Sequence, residues 1–319
     1  MVTVREWVEK VQRGTEPGAR RVYDRYWKAL CDGYVEDGVV IAALGDMQLD
    51  EVSMLDIEEG MLAAKRNAVR RRTSHDGSSA AEHYVAAARR VFRRAVQSGQ
   101  LDSSPAHAVD KPRRIASQRR ALSWEEVQAY FRLVASGGND PALDLLLVRF
   151  HLETGARRQG ALELTRSRID EETQTVELDE KFGKKRKQPV TATLTDALLR
   201  HYDERSGPDD DGDRVFRSKS GRPITRRRYE TVSDRTEPGF PMRVTSHVLR
   251  HTAITLVERV SSYSVAAKFA GHVLSRPTDT YIHVTDRDVA EAVVHIWKDR
   301  HPLIAERAPL PDDILSAPA

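Results

Sequence analysis

The sequence predicts a mainly α-helical protein of two domains, with a small antiparallel β-sheet in the second. Three observations carry this expectation. Apolar residues recur at helical spacing through most of the first hundred positions, a basic proline-containing stretch then breaks the periodicity, and two strand-like runs later flank a lysine-rich turn containing a glycine. With 319 residues, each of two domains is large enough to bury its own core.

The first domain is predicted over residues 1–105. REWVEKV, RRVYDRYWKALCDGYV, LDIEEGMLAAKRNAVRRR and SAAEHYVAAARRVFRRAVQSG all read as helices, and the last closes at a glycine suited to a helix stop. In that last helix Tyr84, Ala88, Val91 and Val96 form the packing stripe, so Arg89, Arg90, Arg93 and Arg94 fall on other faces, open to a partner. The stretch SSPAHAVDKPRRIASQRR loses periodicity and stays basic, which places a solvated linker over residues 106–120. Ser123 ahead of Trp124, Glu125 and Glu126 then has the form of a capping box and opens a second domain, residues 121–300. There LDLLLVRFHLETG reads as a buried helix closed by Gly155, and TQTVELDEKFGKKRKQPVTATL as two strands around a turn. TDALLRHYDERS, ITRRRYETV, SHVLRHTAITLVERV and YSVAAKFAG are helical by pattern, with PDDDGD as a loop. Val289, Val293 and Ile296 give VAEAVVHIW an apolar stripe that packs either on a neighbouring protomer or in cis, and residues 301–319 read as a flexible tail.

Basic and acidic residues nearly cancel, 51 against 48, so net charge alone points to no partner. Clustering says more. Lys65, Arg66, Arg70, Arg71 and Arg72 bunch together, as do the four arginines from Arg89 to Arg94, then Lys111, Arg113 and Arg114, and finally Lys184, Lys185 and Arg186. Such patches suit a phosphate backbone through counterion release, although a solvated helix face has the same composition. The single cysteine, Cys31, excludes a disulfide framework and a thiolate-rich zinc site. The longest apolar run, LDLLLV, is too short to cross a bilayer, and MVTVREWVEK carries charge where a signal peptide needs an apolar stretch. A cytoplasmic protein, nucleoid-associated when bound to DNA, is expected.

Four motifs carry chemistry. In HVLRHT, His247 and Arg250 lie three apart and share a helix face, while Leu249, Ala253, Leu256 and Val260 line a core-facing stripe; Thr245 and Ser246 stand ahead as caps. A guanidinium forks onto phosphate oxygens and an imidazole moves a proton near neutral pH. GHVLSRPTDTYIHV opens on Gly271-His272 and carries Tyr281, with Pro277 and Thr278 suggesting a helix start that presents the phenol from a first turn. ETGARRQG places Arg157 on a turn just past Gly155, and DEKFGKKRKQPV places Lys181 where a strand enters the turn. Taken singly, each has an ordinary structural explanation: an incidental surface ion pair, a half-buried aromatic, an exposed turn arginine, a basic hairpin.

Taken together, these pieces resemble the tyrosine recombinases of the phage-integrase type over nearly the whole chain. TGAR, Lys181, HVLRHT and the interval from His272 to Tyr281 stand in the order and spacing of that family. The resemblance implies a helical, SAM-like core-binding domain followed by a mixed α/β catalytic domain. It implies that Arg157, Arg250 and His272 hold the scissile phosphate, that Tyr281 attacks it with His247 as base, and that Lys181 protonates the departing 5′ oxygen. Lys181 is taken by alignment through Gly183 and Pro189, with Lys184 and Lys185 on the same turn. No cofactor is needed, because the phosphotyrosine conserves the bond energy, and no P-loop pattern is present. The implied partners are duplex DNA with specific core sites and, on synapsed DNA, a homotetramer formed from a protein monomeric in solution. The chain opens almost directly into its first helix, which leaves little room for an arm-binding domain.

One departure stands out. The family commonly carries an acidic residue three places after the first arginine, and here that place is Gly160. Rival readings are a DNA-binding protein of the same fold with impaired catalysis, a type IB topoisomerase, and a metal-dependent hydrolase using His247 and His251. Against the last, Val248 stands where a metalloprotease helix carries its glutamate.

Overall fold

In a computed structural model of the chain, residues 2–69, 76–112, 120–180, 183–207, 213–272 and 284–304 are described. The chain divides into two compact units, Met1–Ser117 and Gln118–Ala319.

The first unit is built on α1 (Val4–Arg13), α2 (Pro17–Asp32), α3 (Met54–Arg66) and α4 (Ser78–Gln97). Thr3 and Ser53 cap α1 and α3 with their hydroxyls while Glu6 and Asp56 reach back to the cap backbone, so the free N–H groups at each helix start are paired. Burying an indole requires a partner for its N–H; Trp7 and Trp27 donate to the carbonyls of Val91 and Ala87, both at 3.1 Å, and thereby seat α1 and α2 on α4. The expected second helix ends early. Gly33, at φ +71°, breaks α2, and a two-stranded hairpin follows, β1 (Tyr34–Glu36) against β2 (Val39–Ile41), turning through Asp37 and Gly38 at positive φ. Asp-Gly between β-branched residues is the sequence signal for this turn, and helical periodicity masked it. Packing also continues past residue 105: Ala106 and Val109 are buried in this core. Arg89 holds them there, its guanidinium donating to the carbonyls of Ala106, His107 and Val109. Its side chain is therefore turned inward, whereas Lys65, Arg66, Arg93, Arg94 and Lys111 are exposed. Arg90 is half-buried, and Arg66 pairs with Glu36. Arg70, Arg71, Arg72, Arg113 and Arg114 lie outside the described residues.

The second unit opens with α5 (Trp124–Ala135), started by the expected Ser123–Glu126 capping box, and α6 (Pro141–Thr154). After the short α7 (Arg158–Leu162) comes a three-stranded antiparallel sheet, β3 (Ile169–Asp170), β4 (Thr175–Asp179) and β5 (Lys185–Pro189), in which β3 adds an edge to the hairpin read from the sequence. Register pairs Val176 with Gln188 and Asp179 with Lys185. The helices α8 (Ala192–Arg205), α9 (Arg226–Thr236), α10 (Ser246–Val260), α11 (Tyr263–Ala270) and α12 (Asp286–Trp297) complete the unit. Leu143, Leu147, Val176, Leu178, Leu194 and Leu198 join α6 and α8 to the sheet. On α10, Leu249, Ala253 and Leu256 are buried as expected, but Val260 is 40% exposed at the helix end. Helix α12 packs in cis: Val289, Ala292 and Val293 meet α10 and α11, while Trp297 lies edge-on to Trp124 and beneath the Arg149 guanidinium at 3.5 Å. No helix among the described residues is long and apolar enough to cross a membrane.

Candidate active site

The site is assembled where α6 and α11 end. Gly155 caps α6 in the left-handed region at φ +58°, and a Cβ there would stand 2.6 Å from the Phe269 ring, so glycine is required twice over. The chain then turns through Ala156 into Arg157, the cap residue of α7. Beneath this turn, His151 is fully buried. Its Nδ1 lies 3.0 Å from the Ala156 carbonyl and its Nε2 2.9 Å from the Tyr229 hydroxyl. A carbonyl can only accept, so Nδ1 carries the proton and Nε2 accepts from tyrosine. Burial pushes the imidazole pKa down to about 4, which keeps this strut neutral.

Arg250 extends from the first half of α10. Sharing the expected face with His247 does not leave it free: it is only 6% exposed, and its guanidinium donates to the carbonyls of Gly155 and Ala270, the latter at 2.6 Å. Arg186 projects from β5 to the neighbouring carbonyls, Thr154 at 3.4 Å and Phe269 at 2.5 Å, and to the Gln188 side chain. The unpaired carbonyls at the C-termini of α6 and α11, negative by the helix dipole, thus orient two guanidiniums toward one region. Arg186 belongs to this cluster, and not to the exposed basic turn of Lys184 and Lys185 with which the sequence grouped it. Lys185 itself pairs with Glu177 at 2.6 Å.

The groups are close enough to feel one another's charge. Burial, then the charges of Arg157 and Arg186, push Arg250 down to about 9; burial and Arg157 do the same to Arg186. Both remain protonated at neutral pH. His272, just beyond α11, has its pKa lowered by burial and then by Arg250, Arg157 and Arg186. Among the described residues Glu180 answers this charge, pairing with Arg157 through Oε2 and with Arg186 Nε through Oε1 at 3.1 Å. Three guanidiniums and an imidazole gathered in this way are chemically suited to meet an anion.

Of the site residues expected from sequence, Arg157, Arg250 and His272 come together. His247 stands exposed in the first turn of α10, whose cap is Thr245 as expected. Lys181 and Tyr281 lie outside the described residues. Sequence reasoning missed His151 and Glu180 and misplaced Arg186. The available signal for Glu180 was a carboxylate directly before the hairpin lysine. His247 and His251 are both exposed, and among the described residues no group of three histidine, cysteine or carboxylate side chains is placed to hold a metal ion.

The chain thus sets a small helical unit ahead of a mixed α/β unit that carries a cluster of three arginines and a histidine. The chain belongs to the phage integrase family, whose sequence profile matches residues 120–288. It is 27% identical over 299 residues to the tyrosine recombinase XerD of Mycobacterium leprae (strain TN), an alignment covering 89% of each chain. It is 25% identical to the tyrosine recombinase XerC of Roseiflexus sp. (strain RS-1), over 68% of this chain and 72% of that one. Among solved structures, the Tn1549 transposon integrase (aa 82-397) in complex with circular intermediate DNA superposes with a TM-score of 0.68 at 19% identity, over 92% of this chain and 99% of that chain. A lambda integrase tetramer bound to a Holliday junction superposes at 0.65 with 18% identity, over 87% and 79%. The mainly helical fold class and the family reading both hold.

Proposed function

We propose that this chain is a site-specific DNA recombinase that cuts and rejoins duplex DNA through a 3′-phosphotyrosine on Tyr281, using the pocket of Arg157, Arg250 and His272 to hold the scissile phosphate. The observation that carries the proposal is the clustering of Arg157, Arg250 and His272, with Arg186, around the ends of α6 and α11, in a member of the phage integrase family.

The chemistry follows from charge. The Tyr281 oxygen attacks phosphorus, a bond to tyrosine forms, and the bond to the 5′ oxygen breaks. His247 takes the phenolic proton, and Lys181 returns one to the leaving oxygen. Negative charge grows on the non-bridging oxygens in the five-coordinate transition state, where fixed guanidiniums with oriented N–H groups stabilise it without reorganising. Because the ends of α6 and α11 hold Arg250 and Arg186 in advance, that part of the site is preorganised. Rejoining is the same path reversed by a 5′ hydroxyl. A tetramer on two synapsed duplexes, built from protomers that are monomeric in solution, is the working assembly; the lambda integrase tetramer bound to a Holliday junction supports the tetramer, and the Tn1549 integrase complex with circular intermediate DNA supports the DNA partner. The exposed basic residues of the first unit and linker would track the phosphate backbone.

The test is Tyr281→Phe with a supercoiled plasmid carrying the genomic DNA that flanks the coding sequence. Wild type should give a denaturant-resistant protein–DNA adduct, and the variant should bind equally well and give none. An adduct surviving in the variant would show that another residue is the nucleophile.

A further inference from the structure

The geometry points to Glu180 as the positioning residue of this site: its carboxylate bridges Arg157 and Arg186, fixes the direction of the Arg157 guanidinium, and ties it to the strand that leads into Lys181. The inference rests on the recombinase reading and extends it to a residue outside the expected catalytic set.

The three arginines are held by different means. Arg250 and Arg186 have backbone carbonyls as acceptors, Gly155 and Ala270 for one, Thr154 and Phe269 for the other. Arg157 sits at the start of α7, where a helix offers N–H groups and no free carbonyls. Among the described residues Glu180 pairs with it. The Glu180 side chain is only 8% exposed, and a buried carboxylate is retained where cations pair with it on both oxygens. Its backbone is fixed as well, since the Glu180 N–H donates to the Lys184 carbonyl at 2.7 Å and closes the turn.

Gly160 explains why a residue just past β4 can do this. A Cβ at position 160 would lie 3.2 Å from the Asp179 carbonyl, tighter than ordinary contact, so the bare glycine lets α7 come up against the end of β4. That approach brings Glu180 within reach of Arg157. The absence of a carboxylate at position 160 and the presence of one at position 180 are then a single arrangement, in which the acid is delivered from the strand. One consequence is coupling: any shift of the backbone at Glu180, which bonds Lys184, is felt at Arg157.

Charge and shape separate in two variants. Glu180→Gln keeps the shape and removes the charge, whereas Glu180→Asp keeps the charge on a shorter arm. The readout is the single-turnover rate of covalent adduct formation on the same plasmid probe, measured beside DNA affinity and thermal midpoint. If Glu180 positions Arg157 electrostatically, Gln should slow adduct formation on the order of 10²-fold, as expected when a preorganised group loses its aim. Asp should be faster than Gln, and affinity should stay within about threefold for both, because the contact matters in the transition state. Gln reacting like wild type, or Gln outperforming Asp, would overturn the assignment by showing that only packing is at stake. A wild-type protein that forms no adduct would overturn the recombinase reading, and this assignment with it.

Discussion

Acid should loosen the second unit through His151, and the structure sets the size of the effect. The imidazole is buried and neutral in the folded chain, with a pKa pushed down from 6.5 to about 4. In the unfolded chain the same group regains its ordinary value. The folded pKa is the lower one, so the contribution is fully present above about pH 7 and is lost as pH falls through 6.5 toward 4. Linkage gives about 2 kcal/mol lost by pH 5 and about 3 kcal/mol by pH 4. On an ordinary stability of 5–15 kcal/mol, roughly the range for a single domain, that is a large share. The measurement is urea unfolding of the full chain from pH 8 to 4.5, wild type beside His151→Gln, whose amide can donate to Ala156 and accept from Tyr229 without titrating. His201, also pushed down to about 4 by burial, is common to both proteins and cancels in the difference. The stability gap between the two should shift by about 2 kcal/mol toward the variant between pH 8 and 5. A gap that is flat with pH, or an NMR titration of His151 near 6.5, would refute the argument.

Arg250→Ala should slow adduct formation severely while changing DNA affinity little; it should also lower the thermal midpoint, because the Gly155 and Ala270 carbonyls lose their donor at a cost of about 1–3 kcal/mol each. Unchanged stability would mean that those carbonyls find water, and an equal loss of binding and cleavage would point to a docking role. Gly155→Ala should destabilise the second unit by about 2–4 kcal/mol, combining left-handed backbone strain with overpacking against Phe269, as read from calorimetry. A wild-type melting curve would show that the α6 cap relaxes freely.

Local chemistry was legible in the sequence because it is written in neighbours. Ser123 starts a helix through a residue three places on, Gly155 stops one, and the strand-like runs find β4 and β5; the same boxes at Thr3 and Ser53 were there to be read and were passed over. The hairpin at Asp37-Gly38 was equally local and was lost only because a helical pattern ran up to it. The family motifs likewise pick out Arg157, Arg250 and His272 by type and spacing. How those residues are held was not legible, since the holding groups are remote: Arg250 meets a carbonyl 95 residues away and Arg186 one 83 residues away.

The sequence by itself determined the helices, the family and the residue types that meet a phosphate, because periodicity and spacing along the chain encode them. Only the tertiary structure decided that Arg250 is buried, that Arg186 turns inward, that α12 packs in cis and that Glu180 faces the cluster. The physical reason is that each depends on helix ends and strand edges brought together from distant segments, where the acceptor is a backbone carbonyl or a bare glycine whose role no side-chain pattern announces.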